Sequence, residues 1–268
     1  MYYKVRDMNY WYEIIGEGIP VVLLHGFTGS SATWNNLIDS QPEGFQFIVV
    51  DLPGHGRTKG NIIKTMESCC RDLYQLLQNL NLDKFFLTGY SMGGRTALTY
   101  ATHFPETLQG LILESASPGL ENDDDREARR KNDDALAKRI EVEGVEAFVN
   151  YWENIALFST QKSLPQEKQA EISRERLSHT DKGLVLSLRG MGTGSQTSNW
   201  KVLEKLTFPV LLLVGSLDSK FVMINKKMLS LLPNAELEIC EEAGHAIHIE
   251  KSETFIKLLV AFAKSHAS

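Results

Sequence analysis

The feature that most narrows what this chain can fold into is the run Gly89-Tyr90-Ser91-Met92-Gly93-Gly94. An apolar, β-rich stretch from Phe85 to Thr88 precedes it, and a small-residue helical pattern from Met92 to His103 follows. A serine in a G-x-S-x-G frame between such segments reads as a sharp strand-to-helix turn that lifts the hydroxyl out at the carboxyl end of a sheet. Glycines on either side let the strand and helix pack closely, so the motif asks for a strand buried on both faces.

Other short apolar runs supply that sheet. They recur at Val21 to Leu24, Phe45 to Val50, Leu111 to Leu113 and Val210 to Val214, and continuous β-rich runs of this length read as buried parallel strands. Helical patterns lie between several of them, including Met66 to Leu80 with Leu73, Leu76, Leu77 and Leu80 on one stripe. The expected fold class is therefore α/β, a mostly parallel, doubly wound sheet, with Tyr2 to Ile15 as a hairpin at one edge. The alternation stops after Leu113 and resumes at Val210. The sequence between is charge-rich and mostly helical, and an insertion there reads as a helical cap over the carboxyl ends of the strands, where open α/β sheets bind ligands. We expect a core in two parts, residues 1–116 and 201–268, with a cap insertion over 117–200. The acidic run Asp123 to Asp125 marks a helix start, where carboxylates suit the dipole.

Composition bounds the function. The chain has 268 residues, 43% hydrophobic and 23% charged, with a formal net charge of −6. That balance, with no basic stripe, leaves no electrostatic footprint for nucleic acid, and any anion site must be local. The N-terminal sequence lacks a leader pattern and no apolar run approaches spanning length, so a cytoplasmic location without a membrane span is expected. Cys69, Cys70 and Cys240 show no metal-ligand or redox spacing and read as reduced, buried thiols.

A serine hydroxyl is a poor nucleophile or base until an imidazole takes its proton and an acid orients that imidazole. Both partners follow Ser91 in chain order: Asp218 in LLLVGSLDSKF and His245 in EEAGHAIHIE. Serine, acid, histidine is the order of the α/β-hydrolase fold. Glu114 is a rival acid at a strand end, and His248 is a rival histidine better suited to a structural place. In LLHGFTGS, the turn after the strand aims the Phe27 N–H at the serine, with the Met92 N–H as second oxyanion donor. His25 and His55 read as scaffold histidines.

Arg95 lies one helical turn after Ser91 and on the same face. A guanidinium there needs a protein carboxylate or an anionic substrate, and position alone does not choose. Further arginines stand at Arg126, Arg129 and Arg130 and at Arg174 and Arg176.

Taken together, LHGFTGS, DLPGHG, GYSMGGR, SPGLEN, LRGMGTGSQ, GSLDSKF and AGHAIHIE resemble the α/β-hydrolase-fold lyases of menaquinone biosynthesis, the 2-succinyl-6-hydroxy-2,4-cyclohexadiene-1-carboxylate synthases. The resemblance runs from about Val21 to the last helix. GYSMGGR, SPGL and DSKF are its discriminating parts. It implies elimination of pyruvate from a cyclohexene bearing a succinyl arm, a ring carboxylate and an enolpyruvyl group, a small-molecule tricarboxylate. Under it, Ser91, His245 and Asp218 act as a general-base relay, Arg95, Arg129 and Arg176 hold carboxylates, and Tyr90 and Trp152 line the pocket. Tyr151 competes with Trp152, and Arg126 and Arg130 with Arg129, because small helical shifts exchange them. No metal or organic cofactor is implied. Two other readings keep the same motifs: a serine hydrolase of esters or of carbon–carbon bonds in acidic dienes, and a ligand-binding module without catalysis.

Overall fold

The apolar runs are buried from both sides. In the computed structural model, which describes residues 1–267, β3 (Ile19–Leu24) sends Val21 and Leu23 into one hydrophobic cluster and Val22 and Leu24 into a second on the opposite face. This is the two-residue period of an extended strand. The same division holds for β4 (Phe45–Val50), β5 (Phe85–Tyr90), β6 (Leu108–Glu114) and β7 (Val210–Gly215). These strands pair in parallel, and β8 (Ala235–Cys240) joins β7 at the far edge. At the other edge β1 (Tyr2–Val5) and β2 (Met8–Gly16) form an antiparallel hairpin, β2 pairing antiparallel with β4. Among the described residues the sheet runs β1-β2-β4-β3-β5-β6-β7-β8. The apolar runs do not mark β8, because its sequence AELEIC alternates: an edge strand is half exposed and needs apolar residues only at every second position.

The helices in chain order are α1 (Asn35–Asp39), α2 (Met66–Asn79), α3 (Met92–His103), α4 (Asp123–Trp152), α5 (Gln166–Leu177), α6 (Asp181–Met191), α7 (Ser219–Leu229), α8 (Ile247–Glu250) and α9 (Ser252–His266). Apolar residues of α2, α3 and α7 cover one face of the sheet, and those of α1, α8 and α9 the other. Helices α4, α5 and α6 fill the chain between β6 and β7. Within α4 the helix breaks at Gly144, whose φ of 81° lies outside helical space. Ala137, Ile140, Phe148 and Val149 of α4 join Leu184, Val185 and Leu188 of α6 in a third apolar cluster, and Phe27 of the sheet's first crossover loop packs against it.

A carboxylate fastens this helical layer to that loop. Glu175 of α5 accepts hydrogen bonds from the Ser30 N–H, the Ser30 hydroxyl and the Thr33 hydroxyl, each at 2.8 Å. From beneath, the buried Asp51 accepts the Ser31 N–H at 2.6 Å and the Arg57 N–H at 2.8 Å. The loop that carries Phe27 is thus held by charge-assisted bonds from two layers.

Candidate active site

The turn at Ser91 is set by close backbone contact. A Cβ on Gly93 would lie 2.0 Å from the Leu24 carbonyl oxygen, and one on Gly89 would lie 2.3 Å from the Gly93 oxygen. Only glycine lets α3 start this near β3 and β5. Ser91 itself takes φ 50° and ψ −107°, a conformation that costs an L-residue about 1–3 kcal/mol. Its N–H donates to the Glu114 carbonyl at 2.9 Å, and its carbonyl accepts from the Arg95 N–H at 2.9 Å. Strain at a residue so firmly held marks a functional position rather than a loose turn.

The hydroxyl meets the expected partners. Ser91 Oγ lies 3.0 Å from His245 Nε2, and His245 Nδ1 lies 2.6 Å from Asp218 Oδ2. With the carboxylate accepting from Nδ1–H, Nε2 presents its lone pair to the serine hydroxyl, the tautomer that proton abstraction needs. Asp218 also caps α7, its Oδ1 accepting the Phe221 N–H at 3.3 Å. The Phe221 ring, 4.7 Å from that of His245, keeps the imidazole in place.

The rival groups are occupied elsewhere. Glu114 accepts the His248 backbone N–H at 3.1 Å and its Nδ1–H at 2.9 Å, and this buried pair supports the Tyr90 ring 4.5 Å above the His248 ring. His25 donates from Nδ1 to the Gly26 carbonyl at 2.7 Å and accepts the Leu52 N–H on Nε2 at 2.9 Å. Both of its nitrogens are used in holding the turn that carries Phe27, and burial depresses its pKa. His55, wholly buried beside it, is depressed further for the same reason. Neither the Phe27 nor the Met92 N–H has an acceptor among the described residues, which leaves both free for an oxyanion.

Above the triad lies a cavity of about 470 Å³ whose walls include Phe27, Tyr90, Met92, Arg95, Trp152 and His245. This volume suits a small organic ligand. The Trp152 indole N–H is buried without an acceptor among the described residues. Tyr151, the alternative to Trp152, is 43% exposed and stacks under Arg139.

Arg95 is buried, yet its guanidinium meets only neutral acceptors: the Met191 carbonyl at 3.0 Å and Gln196 Oε1 at 3.1 Å. No carboxylate of the described residues stands within ion-pair distance of it. Burial, helped by the nearby Arg129 charge, lowers its pKa to about 10. The choice that position left open is thereby narrowed, since a protein carboxylate does not neutralise this arginine directly.

The layer above contributes unequally. Arg129 lines the cavity but is bonded to Asp133, also a lining residue, at 2.7 Å. Arg126 and Arg130 pair with Asp123 and Glu127 along their own helix, and Arg174 is exposed. Arg176 is buried but not in the cavity wall. Its guanidinium bonds Gln161 at 3.0 Å, faces Glu153 at 3.5 Å and lies 4.6 Å over the ring of Phe158, which does line the cavity. In the free protein Arg176 is thus held by a wall residue and a local acid. The motif reading also left Lys220 and Gln196 unassigned. Lys220 lines the cavity and Gln196 holds Arg95. Their signal was adjacency alone, Lys220 beside Asp218 and Gln196 within LRGMGTGSQ.

The model of the alpha/beta hydrolase fold matches residues 19–252. A Bacillus subtilis protein named provisionally as a 2-succinyl-6-hydroxy-2,4-cyclohexadiene-1-carboxylate synthase is 42% identical, the match covering 91% of this chain and 90% of that protein. A Salmonella arizonae protein named as the same synthase is 31% identical over 87% of this chain and 90% of its own. The structure of MenH from S. aureus superposes with a TM-score of 0.92 at 36% identity, covering 96% of this chain and 99% of that one. The matches run nearly end to end along this chain, so the sheet and the helices between β6 and β7 both lie within the shared length. The chain belongs to the α/β-hydrolase fold family and, within it, to the 2-succinyl-6-hydroxy-2,4-cyclohexadiene-1-carboxylate synthases.

Proposed function

We propose that this protein eliminates pyruvate from 2-succinyl-5-enolpyruvyl-6-hydroxy-3-cyclohexene-1-carboxylate, giving 2-succinyl-6-hydroxy-2,4-cyclohexadiene-1-carboxylate, a carbon–oxygen lyase step of menaquinone biosynthesis in the cytoplasm. The observation that carries this reading is Arg95: a buried guanidinium without a carboxylate partner, one helical turn from Ser91 and in the same cavity wall. A tricarboxylate substrate explains it. An ester substrate leaves it without purpose.

The chemistry follows from the triad. His245 draws the proton from Ser91 Oγ, and the serine oxygen removes the proton on the ring carbon next to the succinyl ketone. The electron pair moves into the ketone oxygen, where the Phe27 and Met92 N–H groups stabilise the developing charge. It then returns through the ring double bond and breaks the C–O bond to the enolpyruvyl group. The proton held by His245 leaves with the enolpyruvate, which tautomerises to pyruvate. Asp218 holds the imidazole in the required tautomer and offsets its transient charge. Ser91 forms no bond to carbon in this sequence. Residues 117–200 act as the cap, with Trp152 offering its free N–H and Tyr90 an apolar wall. Arg129 would exchange or share Asp133 with a substrate carboxylate. Mixing the protein with the enolpyruvyl cyclohexene and following pyruvate with a coupled assay tests the reading, and failure to release pyruvate rejects it.

A further inference from the structure

A substrate with three carboxylates needs more than one cation, and the cavity wall offers three: Arg95, Arg129 and Lys220. Arg129 is committed to Asp133. Arg176, the third clamp implied by the resemblance, is not among the wall residues and is engaged by Glu153 and the Phe158 ring. Of the acids in the wall, Glu121 is paired with Lys227, Asp133 with Arg129, and Asp125 accepts the Asn122 amide at 3.1 Å. Lys220 makes no ion pair among the described residues.

Its position makes that isolation meaningful. Lys220 is the second residue of α7, immediately after the helix is capped by Asp218. A cation in the first turn of a helix opposes the dipole, so nothing in the helix itself favours lysine there. Its stem runs toward the neighbouring Phe221, with Nζ 5.8 Å from the ring that buttresses His245. Arg95 follows β5 and Lys220 follows β7, with β6 between them. At about 4.8 Å per strand the backbones that carry the two cations stand roughly 10 Å apart across the sheet. The two cations can therefore hold separate carboxylates of one substrate.

We propose that Lys220 binds one carboxylate of the substrate and determines specificity for the multiply charged molecule. This rests on the tricarboxylate reading of the same cavity. Lys220 touches no reacting atom in this role, and its charge acts on binding: KM carries the effect and kcat stays near the wild-type value. An ammonium at the open rim is screened by solvent and salt, so removing it raises KM by about three- to tenfold.

The test uses Lys220→Met, which keeps the stem over Phe221 and removes the charge, with Lys220→Arg as the charge-keeping control. Pyruvate release is measured for all three proteins from low to high salt, with melting temperatures. The expected result is a raised KM in Lys220→Met, a weaker dependence of its kcat/KM on salt, restoration by Lys220→Arg, and an unchanged or slightly raised melting temperature. An unchanged KM and salt dependence in Lys220→Met overturns the contact, as does an equal loss in Lys220→Arg. If the wild-type protein releases no pyruvate, the substrate reading itself fails and the contact falls with it. Turnover by the wild type with an indifferent Lys220→Met rejects the contact alone.

Discussion

Replacing Arg95 separates substrate recognition from structure. In the free protein the guanidinium donates to two neutral oxygens, of Met191 and Gln196, and meets no carboxylate. Arg95→Ala therefore strands no buried negative charge, the event that makes breaking a buried ion pair cost several kcal/mol. It relieves instead the burial of a lone cation, a burden visible in a pKa lowered to about 10. The Gln196 side chain, whose Nε2 already lacks a partner, can turn once released. We expect a melting temperature unchanged or raised. With substrate bound, the same side chain makes charge-assisted hydrogen bonds to a carboxylate, worth about 1.5–3 kcal/mol. Their loss lowers kcat/KM by roughly ten- to a hundredfold or more. Lysine restores part of this, since a point charge cannot reproduce the planar fork. Pyruvate release and thermal melting are measured on the same preparations, with and without product. The product should raise the melting temperature of the wild type more than that of Arg95→Ala. A stable Arg95→Ala protein with wild-type kcat/KM would refute the argument, and a large fall in melting temperature would refute the claim that the arginine's protein contacts contribute little to stability.

Ser91→Ala and His245→Ala should each lower kcat by about 10²- to 10⁴-fold, and rapid mixing of the wild type with substrate should show no stoichiometric burst or Ser91 adduct. Wild-type turnover in either variant, or a trapped adduct, would overturn the base assignment. Gly93→Ala should prevent accumulation of folded protein, because its Cβ meets the Leu24 carbonyl at 2.0 Å; a normally melting variant would refute the close-packed elbow. His25, His55 and His179 have pKa values depressed by burial. The unfolded chain then binds more protons than the folded one below about pH 6.5, so stability falls as pH falls from there towards the folded values, by up to about 1.4 kcal/mol per unit for each histidine. Urea melts of the wild type and of His55→Gln between pH 7 and 5 should show the shallower slope in the variant, and parallel slopes would reject the histidine origin.

Much of this protein is determined locally and so is legible in one dimension. Strands buried on both faces must be continuously apolar, and they announce themselves; helices on the sheet carry a stripe; an elbow serine needs its glycines. Hence α3, the edge hairpin and the start of α4 at Asp123 follow from the residues alone, while β8, half exposed, does not. The order Ser91, Asp218, His245 nominated the triad because that chemistry requires those groups in a known sequence of loops. What no local pattern holds is which charge meets which. Arg126, Arg129 and Arg130 lie within two turns of one helix and each pairs with an acid of that helix, and only the packing of α4 in the fold turns Arg129 and its partner Asp133 to the cavity. Arg176 looks like its peers in sequence, but only the fold brings Gln161, Glu153 and the Phe158 ring against its guanidinium. Arg95 was undecided between a protein acid and a substrate until the fold placed Met191 and Gln196 against it. Electrostatic pairing depends on distances across the chain, set by how separate elements pack, and that information exists only once the chain has folded.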